Sequence, residues 1–399
     1  MKPLMAKGAR FLAYLLVVLF LTEAILRLCF PIPELKNFDK SYYLGPKRES
    51  VQHLRDKTWT WGSAVDTTHI FEMKMNLYGF RDEEWNVEKP KNKTRVLFIG
   101  DSFVEGVMAE QDETLPEAFK YRAGENEFEI LNAGMTGRSL TAYARLTADM
   151  VPTFKPDVLF ICIFSNDLGQ KEPVLPSASV QPERFNRFTP RLIELWDESK
   201  RHGPIRFRWK KEATSLLPSI DSPSNPWRKN EAKLAPHVNP QLAEMMKDSR
   251  FNPFKTNTLY KEERYLKLKP ALGDFLPFIY SICQKHNVEP IIVYIPSRSQ
   301  VTKHYYQFEH EFCQILCSQT LDLTTGAYQA HQQEIKRQCD ELKMTFIDLT
   351  KDVQNEEQSG KHLYWNYDEH MKAAGYQFLG NQIWYHWQRS EDSNQSLEQ

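Results

Sequence analysis

The chain has little of what several protein classes require. Its 399 residues hold only six cysteines, at positions 29, 162, 283, 313, 317 and 339. They show no metal-site spacing. Cys162 lies inside an apolar run and reads as core. Cys313, Cys317 and Cys339 share one region, where a disulfide is possible outside the cytoplasm, but the sequence fixes no pairing. Net charge is −1, from 51 Lys and Arg against 52 Asp and Glu. That offers no basic excess for nucleic acid. No glycine-rich phosphate loop is present, and nothing calls for a metal or cofactor. The remaining composition is globular, 41% hydrophobic and 26% charged. The length suits one large core or two modest ones. The aromatic share of 13% serves either core or a sugar-facing surface.

The N-terminus departs from this composition. Lys2, Lys7 and Arg10 precede an apolar run from Phe11 to Thr22, which resumes from Ile25 to Phe30. Pro31 and Pro33 stop any helix. Residues 11–30 have the length of a bilayer crossing. The basic flank places residues 1–10 in the cytoplasm and the remainder outside it. Glu23 and Arg27, four apart, can pair on one helix face. The expectation is an uncleaved signal-anchor. The alternative is a secreted chain cut after Ala24, although acidic Glu23 suits a cleavage site poorly. A lipoprotein reading through Cys29 is opposed by Leu28 before it.

Residues 31–93 read as an extension and linker. Residues 34–69 lack a clear period. Phe71, Met73, Met75 and Leu77 alternate like a strand, Tyr78 to Asp82 turns, and 83–93 is charged. From residue 94 to 390 strands and helices alternate. The strands are expected at Val96–Ile99, Phe128–Leu131, Val158–Phe164, Pro290–Ile295 and Met344–Leu349. Leu140, Tyr143, Ala144, Thr147 and Val151 share one helix face, and Tyr376, Leu379, Gly380, Ile383 and Trp387 another. Apolar strands between helices imply an α/β three-layer αβα sandwich on a parallel sheet of about five strands. Ligands bind such sheets at the strands' carboxyl ends. Residues 171–260 interrupt the rhythm with eleven of 23 prolines and sixteen Lys or Arg against ten Asp or Glu. This Pro-rich insertion, most basic from Arg201 to Lys211, is expected over the sheet's active edge. It reads as a lid for an anionic glycan or lipid headgroups, or as a solvated insertion. Residues 391–399 form a polar tail.

Four short blocks fall at strand ends in order. They are Gly100-Asp101-Ser102-Phe103, Asn132-Ala-Gly-Met-Thr-Gly137, Ser165-Asn166-Asp167 and Asp368-Glu369-His370. Taken singly, each is an ordinary turn, strand end or helix start. Taken together they resemble the SGNH (GDSL-type) hydrolases, closely over residues 95–170 and moderately over 365–388. The approach Asn76-Leu-Tyr-Gly-Phe-Arg-Asp82 is similar to membrane-anchored bacterial members of that family.

The resemblance implies a flavodoxin-like fold and a set of roles. Ser102 is the nucleophile, His370 its base, and Asp368 the group fixing the His370 tautomer. The oxyanion hole comprises the Ser102 and Gly137 backbone N–H groups and the Asn166 amide. Gly100, Asp101 and Asp167 support the elbow, Asp101 by hydrogen bonds alone, while Gly134 is expected as a turn glycine. Asp368 stands two residues before His370, whereas three is the family's commoner spacing. Residues two apart share a face only in extended chain, so the last helix should begin after His370.

The function implied is a membrane-anchored, extracytoplasmic serine esterase acting on an acyl ester, acetyl foremost, of a glycan or lipid. A glycan O-acetyltransferase would use the same residues, and Asp-x-His occurs in sugar O-acetyltransferases of this type. A non-catalytic glycan-binding or assembly protein is the third reading. Activity is expected to fall below about pH 6 as His370 protonates.

Overall fold

A computed structural model describes residues 2–29, 58–61, 66–67, 69–76, 78–168, 172–176, 190–193, 196, 214–215, 240, 243–244, 259, 270–310 and 322–397. Helix α1 (Lys2–Cys29) comes first. Strands β1 (Thr58–Trp61) and β2 (Phe71–Lys74) pair antiparallel, with Trp59 opposite Met73. There follow β3 (Thr94–Gly100), α2 (Ser102–Glu105), α3 (Leu115–Ala123), β4 (Phe128–Gly134), α4 (Leu140–Phe154) and β5 (Val158–Phe164). Strand β6 (Thr214–Ser215) lies in the insertion and joins β1 in parallel. The chain then forms α5 (Phe275–His286), β7 (Glu289–Ile295), α6 (Arg298–Val301) and α7 (Ala330–Leu342). It ends with β8 (Thr345–Asp348), α8 (Thr350–Gln358) and α9 (Ala373–Leu397).

The main sheet runs β4-β3-β5-β7-β8, all parallel. By order of appearance the strands lie 2-1-3-4-5, the flavodoxin-like order, with its switch point between β3 and β5. Successive side chains on β3 go to opposite faces. Leu97 and Ile99 join α4, α5 and α7 on one side. Val96 and Phe98 join α3 and α9 on the other. Phe98 stacks on Phe160 of β5 at 4.8 Å between centroids, which is worth about 0.5–1.5 kcal/mol beyond burial. Both helix faces expected from periodicity are buried: Leu140, Tyr143, Ala144 and Val151, then Tyr376, Leu379, Ile383 and Trp387. Cys162 is core, and Cys162, Cys283 and Cys339 are buried free thiols. Cys313 and Cys317 lie outside the described residues.

Several expectations are corrected. The charged stretch 83–93 packs on the first sheet strand and the turn before it. Trp85 stacks on Phe80 at 4.9 Å and on Tyr78 at 5.6 Å. Arg95 on β3 is fully buried and donates to the carbonyls of Asn86, Val87, Glu88 and Phe154. Its charge faces Glu129, so these carbonyls and one carboxylate replace the lost solvent. The period-free region 34–69 contains β1. Strand β2 stops at Lys74, and Leu77 lies outside the described residues. α9 runs to Leu397, through the start of the polar tail. The basic stretch Arg201–Lys211 lies outside the described residues, as does most of the insertion expected to form a lid.

α1 begins at Lys2, ahead of the apolar run, and Glu23 pairs with Arg27 at 2.6 Å. Phe11, Leu16, Phe20 and Leu28 are exposed along it. Among the described residues no helix is long and apolar enough to cross a membrane. The crossing expected of 11–30 is therefore not matched. That apolar stretch carries the Glu23–Arg27 charges within it.

Candidate active site

β3 delivers the chain into a sharp elbow. Asp101 caps α2, its Oδ1 accepting the Phe103 N–H at 2.9 Å. Ser102, the first residue of α2, is 7% exposed. Its hydroxyl donates to Asp101 Oδ2 at 3.4 Å. Burial pushes the Asp101 carboxyl up to about 6, against the Phe103 N–H and the nearby imidazole of His370. Asp101 thus holds the first turn of α2 by a hydrogen bond to its backbone. Gly100 is needed because a Cβ there would stand 2.3 Å from Val104 Cγ2. Gly134 is the last residue of β4, not a turn residue. An added Cβ would meet the Glu105 backbone nitrogen at 2.1 Å, so α2 and β4 approach through the missing side chain.

His370 enters from a loop before α9. The loop closes on itself through a Tyr364–Met371 bridge and the Trp365 N–H donating to the His370 carbonyl at 3.1 Å. Asp368 Oδ1 lies 2.5 Å from His370 Nδ1 and 2.9 Å from its backbone N–H. The two-residue spacing thus brings the side chains together outside a helix, and α9 starts at Ala373. The imidazole packs against Phe103, the residue after Ser102, at 5.5 Å between ring centroids. Burial works against the imidazolium, but the Asp368 carboxylate outweighs it and holds His370 above its ordinary 6.5. Burial likewise works to raise Asp368, yet the adjacent imidazole and its donated bonds keep it below the usual carboxylate range. Among the described residues no hydrogen bond joins Ser102 Oγ to His370. Such bonds tighten when substrate binds.

The three expected oxyanion donors sit on adjacent strand ends. Ser102 follows β3, Gly137 follows β4, and Asn166 lies in the 3₁₀ turn after β5. Gly137 has φ +69°, and the space where a Cβ would stand is open. Neither the Ser102 and Gly137 N–H groups nor the Asn166 amide makes a hydrogen bond among the described residues. Asp167 stands behind them. Its Oδ2 accepts from the Tyr143 hydroxyl at 2.8 Å and the Phe164 N–H at 2.9 Å.

Other residues that position the site escaped sequence reasoning. Arg81 is buried and donates to the carbonyls of Glu72, Glu105, Gly106 and Ala109, pinning the turn after α2. Glu105 accepts from the backbone and hydroxyl of Thr136, just before Gly137. Asp82 takes the Asn132 N–H at 2.8 Å and the Trp85 indole N–H at 2.6 Å. Arg81 and Asp82 belong to a segment marked as a turn and noted for its resemblance, but neither signal gave them a role. Asp66 and Arg298 carried none. Among the described residues no cluster of His, Cys, Asp and Glu could hold a metal.

No family model matches the chain, and no curated protein matches it. Similar solved structures include an acetylxylan esterase of Geobacillus stearothermophilus, a catalytic mutant. It is 12% identical over 75% of this chain and 96% of its own, with a TM-score of 0.34. A GDSL-like lipase of Bacteroides thetaiotaomicron is 10% identical over 76% and 91%, with a TM-score of 0.33. An acetyl xylan esterase, AlAXEase, is 14% identical over 73% and 98%, also at 0.33. At such identities and scores, likeness decides nothing about what this chain cleaves.

Proposed function

We propose that this chain is a serine ester hydrolase of SGNH type. The observation that carries the reading is the Asp368–His370 pair at 2.5 Å, packed on the residue after Ser102. Asp368 holds the His370 proton on Nδ1, leaving Nε2 to take the Ser102 proton. Ser102 Oγ then attacks the ester carbonyl. The tetrahedral oxyanion gathers the free donors of Ser102, Gly137 and Asn166. Collapse expels the alcohol, which takes the proton from His370. Water, activated the same way, releases the acid. The test is hydrolysis of p-nitrophenyl acetate and butyrate, with a fluorophosphonate probe to label the nucleophile. Labelling and hydrolysis lost in Ser102→Ala and His370→Ala support the reading, and activity retained in Ser102→Ala sinks it.

The acyl group we propose is acetyl, carried by a glycan. The support is Asp-x-His, the spacing of sugar O-acetyltransferases with this type of site. A transferase would use the same residues with a sugar hydroxyl in place of water. Acetate released into water, against acetate passed to an added oligosaccharide, separates the two. We further propose that α1 holds the protein at a membrane with its catalytic part outside the cytoplasm. The support is the basic flank and the exposed apolar side chains of α1. Full-length protein recovered in the soluble fraction, like a chain lacking residues 1–33, would overturn it.

A further inference from the structure

The loop that presents Asp368 is gripped from both sides by charged residues remote in sequence. Asp66, from the N-terminal extension, accepts the backbone N–H of Asn366 at 2.8 Å and of Tyr367 at 2.9 Å. Asp66 and Asn366 are 300 positions apart. Arg298, at the start of α6, works on the carbonyls of the same loop. Its Nη1 donates to Trp365 at 2.7 Å, Asn366 at 2.5 Å and Asp368 at 3.1 Å. The guanidinium is fully buried, and Glu309 aims it by accepting from Nε at 3.0 Å and Nη2 at 2.5 Å. A carboxylate thus takes the loop's N–H groups while a guanidinium takes its C=O groups. Turn segments usually leave such groups to water. Here they are fixed within a few residues of Asp368.

We propose that Asp66 and Arg298 are positioning residues, which together hold Asp368 where it can orient His370. The proposal rests on the serine esterase reading for its kinetic consequence, but not for its structural one. Neither residue reaches the reacting atoms. They act on the backbone that carries Asp368, and a shift of about 1 Å in such a group can lower turnover a hundredfold. The N-terminal extension is then part of the catalytic apparatus.

The variants to make are Asp66→Asn and Arg298→Lys, in the full chain. Asparagine keeps the shape but weakens acceptance of two N–H groups. Lysine keeps the charge but loses the planar fork that holds Glu309 through Nε and Nη2 while Nη1 meets the three carbonyls. The first readout needs no turnover. A short Asp368–His370 bond gives a low-field imidazole Nδ1 proton in one-dimensional NMR, and His370, facing Asp368, Glu369 and Asp101, titrates above its ordinary value. In both variants that proton should broaden or vanish and the His370 titration should move down. The second readout is kinetic: kcat on p-nitrophenyl acetate should fall roughly tenfold to a hundredfold, with KM little changed.

Folded variants that keep the low-field proton, the wild-type titration and kcat would overturn the proposal. If Arg298→Lys does not fold, Asp66→Asn alone decides. Intact protein that hydrolyses no ester, yet loses the proton on substitution, would sink the esterase reading and leave the positioning roles standing. Intact protein without the low-field proton would overturn the positioning roles whatever its activity.

Discussion

The Tyr143 hydroxyl donates to Asp167 Oδ2 at 2.8 Å, while Asp167 Oδ1 is buried with no partner among the described residues. Burial, then the nearby Asp101, pushes the Asp167 carboxyl well above its ordinary range. Both favour the neutral form of the carboxyl, and asparagine is the near isostere of that form. Asp167→Asn should cost less stability than Asp167→Ala. The alanine leaves the Phe164 N–H without that acceptor, at about 1–3 kcal/mol, and the Tyr143 hydroxyl with the Arg138 carbonyl at 3.4 Å. Urea unfolding of the two variants compares them. An alanine variant as stable as the asparagine one would contradict the acceptor role of Asp167.

His370 must be neutral to act as base. Because Asp368 holds its folded value above 6.5 despite burial, the acid limb of kcat/KM should lie above pH 6.5. The sequence alone placed it near 6. Asp368→Asn should move the limb downward and lower turnover on the order of ten-thousandfold. A pH–rate profile for each protein checks both, and a wild-type limb at or below 6.5 would count against the pairing.

Two glycines should respond differently to alanine. Gly134→Ala drives a Cβ to 2.1 Å from the Glu105 backbone nitrogen, and overpacking of that kind costs about 1–3 kcal/mol or more. Gly137→Ala meets open space and carries only the φ +69° strain, about 1–2 kcal/mol. Its methyl group nevertheless stands where substrate should approach the N–H. The first variant should lose mainly melting temperature, the second turnover beyond what its strain takes from stability.

Asn166→Ala tests the third donor. Its side chain is only half-buried and makes no hydrogen bond among the described residues, so stability should change little. Turnover should fall roughly a hundredfold to a thousandfold. An unchanged kcat would remove Asn166 from the oxyanion hole.

Asp82 sets a pH dependence of folding. Burial pushes its carboxyl up to about 7 from an ordinary 3.8. Between those values the folded chain holds a proton that the unfolded chain has released. Stability from this group is therefore highest at low pH and declines as pH rises towards 7, by at most about 1.4 kcal/mol per pH unit. Asp82→Asn should melt progressively higher relative to wild type as pH rises through this window. A difference independent of pH would place the Asp82 value elsewhere.

The sheet was legible because its signals are local. β5 occupies Val158–Phe164 as read, and the other sheet strands shift by up to three residues at their ends. Apolar β-branched runs and a 3.6-residue period need no knowledge of distant chain. The site blocks were legible for a related reason, since each follows directly from a strand end. Asp66, Arg81 and Arg298 were not. A single charged residue in a polar stretch has no period, and its partners are backbone groups elsewhere in the chain. The same holds for Gly134, whose requirement comes from α2 folding back over β4.

The order of the chain also sets the order in which the site can exist during synthesis. Tyr376 closes α9 over the elbow by donating to the Val107 carbonyl, across 269 residues. Ser102, Gly137 and Asn166 leave the ribosome long before His370 does. On the proposed roles, a growing chain carries a serine and its anion-binding donors with no base to use them, and translation stopped before the last helix yields a sheet that cannot begin the reaction.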